Sequence, residues 1–369
     1  MATIDADGHV IEPADLWQRE LPPSWRARGF QIRWNPDSLQ EEVHVEGRLL
    51  LPFGIVGVGL AGRPFEDVGR GVRYAELMPG GFDPRQRLRD MDAEGIDVAV
   101  LYPSVGLFLE AVEDAALAEA CCRVYNDWLA DYCRADPRRL VGIAGIPMQN
   151  VEAAVREMHR AVGQLGMRGV FIRPNPCNGR ALHDPYFEPF WAAVAEAGVP
   201  VGLHPSGAGD LPGALQGLRL DAPIMGHPSI FFIDDLIGFS HLVCGGVLER
   251  HPTLQVAVLE AGGGWVAHWF DRFDHFAHVY AWMAPDLRAK PSEYFKRQCY
   301  VSFDPDETTL PLLLPVIGEE RVVWASDYPH LDATYPGVVR ELEEQLVHLP
   351  SSAREKVRGH NAARLYRLP

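Results

Sequence analysis

The amino-acid sequence predicts an α/β protein built as a (β/α)8 barrel. Two observations carry this expectation. Eight short runs rich in Val and Ile alternate with longer segments of helical periodicity, and several of these runs end in His, Asp or Glu. Strands buried on both faces read as near-continuous apolar runs, and strict β/α alternation implies parallel pairing. Eight units favour a closed barrel over an open sheet. A length of 369 residues suits one such TIM barrel with insertions, since the fold runs from ~200 to over 400 residues.

The elements follow in order. The first strand spans Thr3 to Val10. The stretch from about residue 14 to 82 fits no β/α unit; alternation at Phe30–Trp34 and Glu42–Leu50 makes it an insertion, a small sheet or cap, within a single domain covering 1–369. A helix over Pro84–Glu94 leads to the strand Asp97–Tyr102, and one over Glu113–Arg134 to Val141–Pro147. Helix Val151–Leu165 precedes strand Gly169–Arg173, and helix Tyr186–Ala197 precedes strand Pro200–His204. A smaller Gly- and Pro-rich insertion, Pro205–Pro228, follows the fifth strand. Helix Ser229–Arg250, strand Leu254–Glu260 and helix Trp265–Trp282 come next. Strand Cys299–Phe303, helix Glu307–Val316, strand Val322–Ala325 and a helical tail complete the chain.

Composition narrows the partners. Hydrophobic residues make up 47 %, the formal net charge is −16 and the sequence pI is about 5.3. Nucleic acid and anionic membrane both reward Lys and Arg, so neither is an expected partner; a small-molecule substrate is. The six cysteines form no CxxC pair, which reads as reduced thiols. The N-terminus carries no apolar signal segment and no run reaches the ~18 apolar residues of a spanning helix, so the expected location is cytoplasmic.

The chemistry sits at strand ends, because the βα loops line the one open face of a barrel. Asp7 and His9 are two apart on the first strand and point the same way. The fifth strand delivers His204, the sixth Glu260 before three glycines, and the eighth Asp327. Singly, each has a structural reading as a turn former, a cap or an ion-pair partner. Together they form a mixed N/O set facing one mouth, suited to one divalent ion: zinc first, with manganese and iron as alternatives. Asp7 and Asp327 ionised, with neutral imidazoles, cancel its charge and leave positions open. Arg173, at the end of the fourth strand, can hold a substrate carboxylate at two points, or else pair with Glu260. Tyr102 closes the second strand as a pocket wall, and His241 can reach the mouth from its helix. His330, three past Asp327, can stand behind the ligands. Gly57-Val58-Gly59-Leu60-Ala61-Gly62 matches a dinucleotide fingerprint but lacks the βαβ context. The aromatics from Trp265 to Trp282 read as packing against a partner helix or subunit.

The chain resembles the amidohydrolase-related group that includes aminocarboxymuconate semialdehyde decarboxylase, γ-resorcylate decarboxylase and 5-carboxyvanillate decarboxylase. The marks are Asp7-Gly8-His9, Leu203-His204-Pro205, Gly245-Gly246-Val247-Leu248-Glu249-Arg250-His251-Pro252, Glu260-Ala261-Gly262-Gly263-Gly264, Ser326-Asp327-Tyr328-Pro329 and Asn361-Ala362-Ala363-Arg364-Leu365. The resemblance implies a mononuclear metal site with Asp7, His9, His204 and Asp327 as ligands, and a homodimer; Asp327 or Glu260 is the expected catalytic proton donor. Glu260 departs from the pattern, falling where those decarboxylases carry His. No lysine precedes Lys290, which excludes the bridging lysine of binuclear relatives. The expected activity is nonoxidative decarboxylation of an aromatic or unsaturated acid. The alternatives are a metal-dependent hydrolase of an amide, ester, lactone or C–C bond, and a non-catalytic scaffold.

Overall fold

The computed structural model describes residues 2–37, 39–50, 57–63, 71–206, 223–284 and 286–369. Eight parallel strands follow one another around a barrel: β1 (Ile4–His9), β5 (Val98–Tyr102), β6 (Leu140–Gly145), β7 (Gly169–Ile172), β8 (Val201–Leu203), β9 (Val256–Val258), β10 (Cys299–Phe303) and β11 (Val322–Trp324). The ring closes just beyond the last strand, where the Asp327 N–H donates to the Asp7 carbonyl (3.1 Å) and the His9 N–H to the Tyr328 carbonyl (2.8 Å). Nearly every barrel residue is buried, as the apolar runs require. The insertion after β1 contains a three-stranded antiparallel sheet, β2 (Gln31–Asn35), β3 (Gln40–Val45) and β4 (Arg48–Leu49).

Local signals set the helix ends. In the helix Pro84–Glu94, Asp83 caps the start by accepting the Arg85 N–H (2.9 Å) and Gly95 ends it at φ 78°. Asp114 caps Ala115–Cys133 and Asn150 caps Val151–Gly163 in the same manner. The helix expected over Ser229–Arg250 instead spans Pro223–Cys244, and a separate turn covers Val247–Arg250. Gly246, at φ 75°, breaks the periodicity that the apolar pattern alone carries through. The early start places the end of the expected Pro205–Pro228 insertion inside a helix; its residues 207–222 lie outside those described. A helix that the sequence reading omitted, Pro291–Gln298, precedes β10. All six cysteines are free thiols, and among the described residues no helix is long and apolar enough to cross a membrane.

Candidate metal centre

Strand ends bring Asp7, His9 and His204 together at the mouth. The Asp7 Oδ1 lies 3.8 Å from His9 Nε2 and 3.6 Å from His204 Nε2, and all three side chains are fully buried. Each imidazole is oriented by its other nitrogen. His9 Nδ1 lies 2.8 Å from the Pro103 carbonyl and His204 Nδ1 2.8 Å from the Pro205 carbonyl. Donation from Nδ1 leaves the Nε2 lone pair facing the centre, the arrangement of metal-bound histidines. Both Asp7 oxygens and both Nε2 atoms are buried and make no hydrogen bond. Buried polar atoms without partners are costly, and a divalent cation satisfies all of them at once. These donors therefore fit the ion.

Glu260 and Asp327 flank the triad. Glu260 Oε2 lies 3.2 Å from His204 Nε2, and Oε1 lies 4.0 Å from His330 Nδ1. His9, Glu260 and His330 form a second cluster with metal-ligand spacing. Asp327 belongs to neither cluster; its Oδ1 is buried without a hydrogen bond. Both carboxylates ride on left-handed backbone, at φ 48° for Glu260 and 52° for Asp327. Such conformations cost about 1–2 kcal/mol in a residue with a Cβ and concentrate at functional sites.

Burial sets the electrostatics. It pushes the carboxyls of Asp7, Glu260 and Asp327 well above the usual range, and neighbouring carboxylates, Asp332 for Glu260 and Asp304 for Asp327 foremost, add to the effect. It lowers His9 well below, and His204 to about 3. The imidazoles are thus neutral and ready to ligate, while the carboxylates lack the positive charge that a cation supplies.

The other expected residues are placed as follows. Arg173 is fully buried; its guanidinium donates to the carbonyls of Leu107 (3.3 Å) and Ser206 (3.1 Å) and to Asn175 Oδ1 (3.0 Å). The Tyr102 ring lies 5.5 Å from the His204 ring and 6.4 Å from that of His9, with its hydroxyl 3.0 Å from that of Tyr366. Half-buried His241 meets His183, at 5.1 Å between ring centroids, and stands in neither cluster. His330 stacks on His9 at 3.9 Å and lies 2.9 Å from Ser104 Oγ.

Two residues escaped the sequence reading. Asp304 directly follows β10, and burial with neighbouring carboxylates pushes it up to about 8. The strand-end rule that found His204 would have found it. Asp235 is fully buried, and neither of its oxygens makes a hydrogen bond. It lies within electrostatic reach of Arg173 and Asp7. Its only sequence signal was an Asp pair interrupting an apolar helix.

A buried His and carboxylate nest at the strand ends of a (β/α)8 barrel defines a metal-dependent barrel enzyme. The chain belongs to the Amidohydrolase family, whose model matches residues 4–368. The 2-amino-3-carboxymuconate-6-semialdehyde decarboxylase of Dictyostelium discoideum is 27 % identical over 79 % of this chain and 79 % of its own length. A gamma-resorcylate decarboxylase of Polaromonas sp. is 26 % identical over 77 % of this chain and 87 % of its own. Among solved structures, an amidohydrolase from Mycobacterium avium subsp. paratuberculosis superposes with a TM-score of 0.83 at 23 % identity, covering 99 % of both chains. A dihydroxybenzoic acid decarboxylase from Polaromonas sp., solved with manganese and the inhibitor 2-nitroresorcinol, reaches 0.66 at 20 % identity over 100 % of this chain and 97 % of its own.

Proposed function

We propose that this protein is a metal-dependent decarboxylase of a small aromatic or unsaturated carboxylic acid. The observation that carries the reading is the convergence of ligand atoms of Asp7, His9 and His204 within 4.8 Å of one another, buried and without hydrogen bonds. Decarboxylation as the chemistry comes from the named relatives. Asp7, His9 and His204 hold the ion, with Asp327 completing the set from the loop beyond β11 and Glu260 beside His204. Zinc and manganese both suit this N/O set; the Polaromonas neighbour holds manganese. The bound ion supplies positive charge that orients the substrate carboxylate or an adjacent hydroxyl and stabilises developing negative charge.

The chain's own groups do the rest. Arg173 sets the electrostatic field for an anionic substrate. Asp327, beside the ion, delivers a proton from its carboxyl to the carbon that bears the carboxylate. The bond from that carbon to the carboxylate then breaks, its electron pair stays with the substrate, and CO2 leaves. Asp327 regains its proton from solvent. The homodimer implied by the resemblance would bury the apolar face of Tyr280, Trp282 and Met283, which are 49, 76 and 65 % exposed.

A second reading rests on Glu260. In hydrolysis Asp327 would take a proton from water, the hydroxide would add to the carbonyl of an amide or lactone, and the Glu260 carboxyl, 3.2 Å from a ligand nitrogen, would protonate the nitrogen or oxygen that leaves as the C–N or C–O bond breaks. The experiment that separates the two incubates manganese- and zinc-loaded protein with a panel of hydroxybenzoates and unsaturated carboxylates and measures CO2. Release of CO2 with the decarboxylated product supports the first reading. Turnover of amides or lactones, with no CO2 from any acid, overturns it.

A further inference from the structure

We propose that Asp5 and Arg87 are positioning residues that fix the metal ligands by clasping the first barrel strand to the segment beyond the last. This rests on the metal reading above but not on the reaction. The ligand-bearing segments come from opposite ends of the chain, so something must hold residues 7 and 9 in register with 327.

The clasp begins at an irregularity in β1. Asp5 pairs with Ala99 and Gly8 with Leu101, so Ala6 and Asp7 together face Val100. Such a bulge leaves backbone groups outside the ladder and re-aims side chains. The Asp5 carboxylate compensates by accepting the Asp7 N–H at 3.3 Å. The same carboxylate crosses to the far segment, accepting the Ser326 N–H (3.0 Å) and the Ser326 hydroxyl (2.6 Å). Ser326 Oγ in turn accepts the Tyr328 N–H at 3.1 Å. One side chain thus holds the residue before Asp327 and the backbone of Asp7.

Arg87 makes the second tie. It reaches in from the helix Pro84–Glu94 and is 1 % exposed. Its Nη1 donates to the His9 carbonyl (2.7 Å) and to the Tyr328 carbonyl (3.2 Å), again bridging the first strand and the last segment. Its Nη2 lies 3.9 Å from Asp5 Oδ2, and the guanidinium sits 4.8 Å from the Tyr328 ring centroid. Tyr328 is anchored to the same helix by its hydroxyl, which donates to Asp90 (2.5 Å).

Gly8 records how tightly this is built. A Cβ there would stand 2.5 Å from both Arg87 Nη2 and Asp5 Oδ2. The glycine between the two ligands Asp7 and His9 is required because the clasp fills the space where a side chain would go. Lys at position 87 ends in one ammonium on a shorter stem, and cannot supply both the Nη1 bonds to the two carbonyls and the Nη2 approach to Asp5.

Three variants, Asp5→Asn, Arg87→Lys and the milder Ser326→Ala, test the idea. Affinity for Mn2+ is measured by chelator competition, and the visible spectrum of the Co2+-loaded protein reports ligand geometry. Supporting groups behind a metal site typically contribute 10–100-fold to affinity. The expected result is at least tenfold weaker Mn2+ binding in Asp5→Asn and Arg87→Lys, a smaller loss in Ser326→Ala, and a shifted cobalt spectrum, with native circular dichroism. Mn2+ affinity within twofold of wild type and an unchanged cobalt spectrum in the folded variants overturn the proposal. If Asp5→Asn and Arg87→Lys fail to fold, Ser326→Ala alone decides by the same two readouts. A wild-type protein that binds the metal yet releases no CO2 removes the proposed reaction and leaves the clasp standing.

Discussion

Asp327 and Glu260 stand on left-handed backbone at the mouth of the barrel, and the two differ in what surrounds them. Glu260 is drawn against His204, while Asp327 stands apart from both clusters with a buried Oδ1 free of hydrogen bonds. Asp327→Asn keeps the shape and removes the transferable proton, so turnover should fall at least ~100-fold while the circular dichroism spectrum stays native. Appreciable turnover by that variant contradicts the role. A different carboxyl offers a pH test away from the metal. Glu12 is fully buried, and burial pushes it up to about 7 from 4.5 against the N–H groups of Val105 and Gly106 that it accepts. The folded protein therefore keeps a proton between pH 4.5 and 7 that the unfolded chain has lost. Its contribution is fully present below the lower value and is lost as pH rises through the upper one. The stability of wild type relative to Glu12→Gln should drop by about 3 kcal/mol across that window, read from urea unfolding at several pH values. Parallel profiles contradict it.

Strands carried most of what the sequence could say. Short apolar runs ending in ligand-type residues gain a metal-binding reading as a set, and His204, Glu260 and Asp327 follow β8, β9 and β11 accordingly. The insertion sheet was legible from alternation at residues 30–34 and 42–50. Helix ends were less so, since the broken segment around Gly246 needs a positive φ that apolar periodicity does not encode. Asp5 and Arg87 were illegible as supporting groups because they meet only after the barrel closes, whereas His330 was legible from its place three past Asp327. The glycine run after Glu260 shows the same dependence on neighbours. A Cβ at Gly263 would lie 1.9 Å from the Phe303 ring at the end of β10. Gly263→Ala must displace that ring or the loop that carries Glu260. Overpacking of this kind costs about 1–3 kcal/mol, so the urea midpoint should fall and turnover with it. A variant with the wild-type midpoint shows instead that the loop yields at no cost.

Closure of the barrel, the metal site and the stability of the molecule are one problem. The seam between β1 and the segment after β11 carries Asp7 and His9 on one side and Asp327 on the other. Without a cation, Asp7, Glu260 and Asp327 are buried acids whose ionisation is opposed by burial, and for Glu260 and Asp327 also by neighbouring carboxylates. The neutral imidazoles of His9 and His204 offer no charge to offset them. A bound divalent ion replaces that repulsion with attraction at the point where the chain's two ends meet. It binds the folded state, whose ligands are assembled, far better than the unfolded chain, whose ligands are separated by up to 320 residues. Stability must then rise with metal activity as RT ln(1 + [L]/Kd), about 2.7 kcal/mol at 100 times Kd. Protein stripped with a chelator should unfold at lower urea than the same sample resupplied with Mn2+ or Zn2+, and Mg2+, which favours octahedral oxygen ligands, should restore much less. An inert barrel that had only inherited this architecture would show no metal-dependent midpoint. Equal midpoints across stripped and resupplied samples would mean that these side chains do not hold an ion.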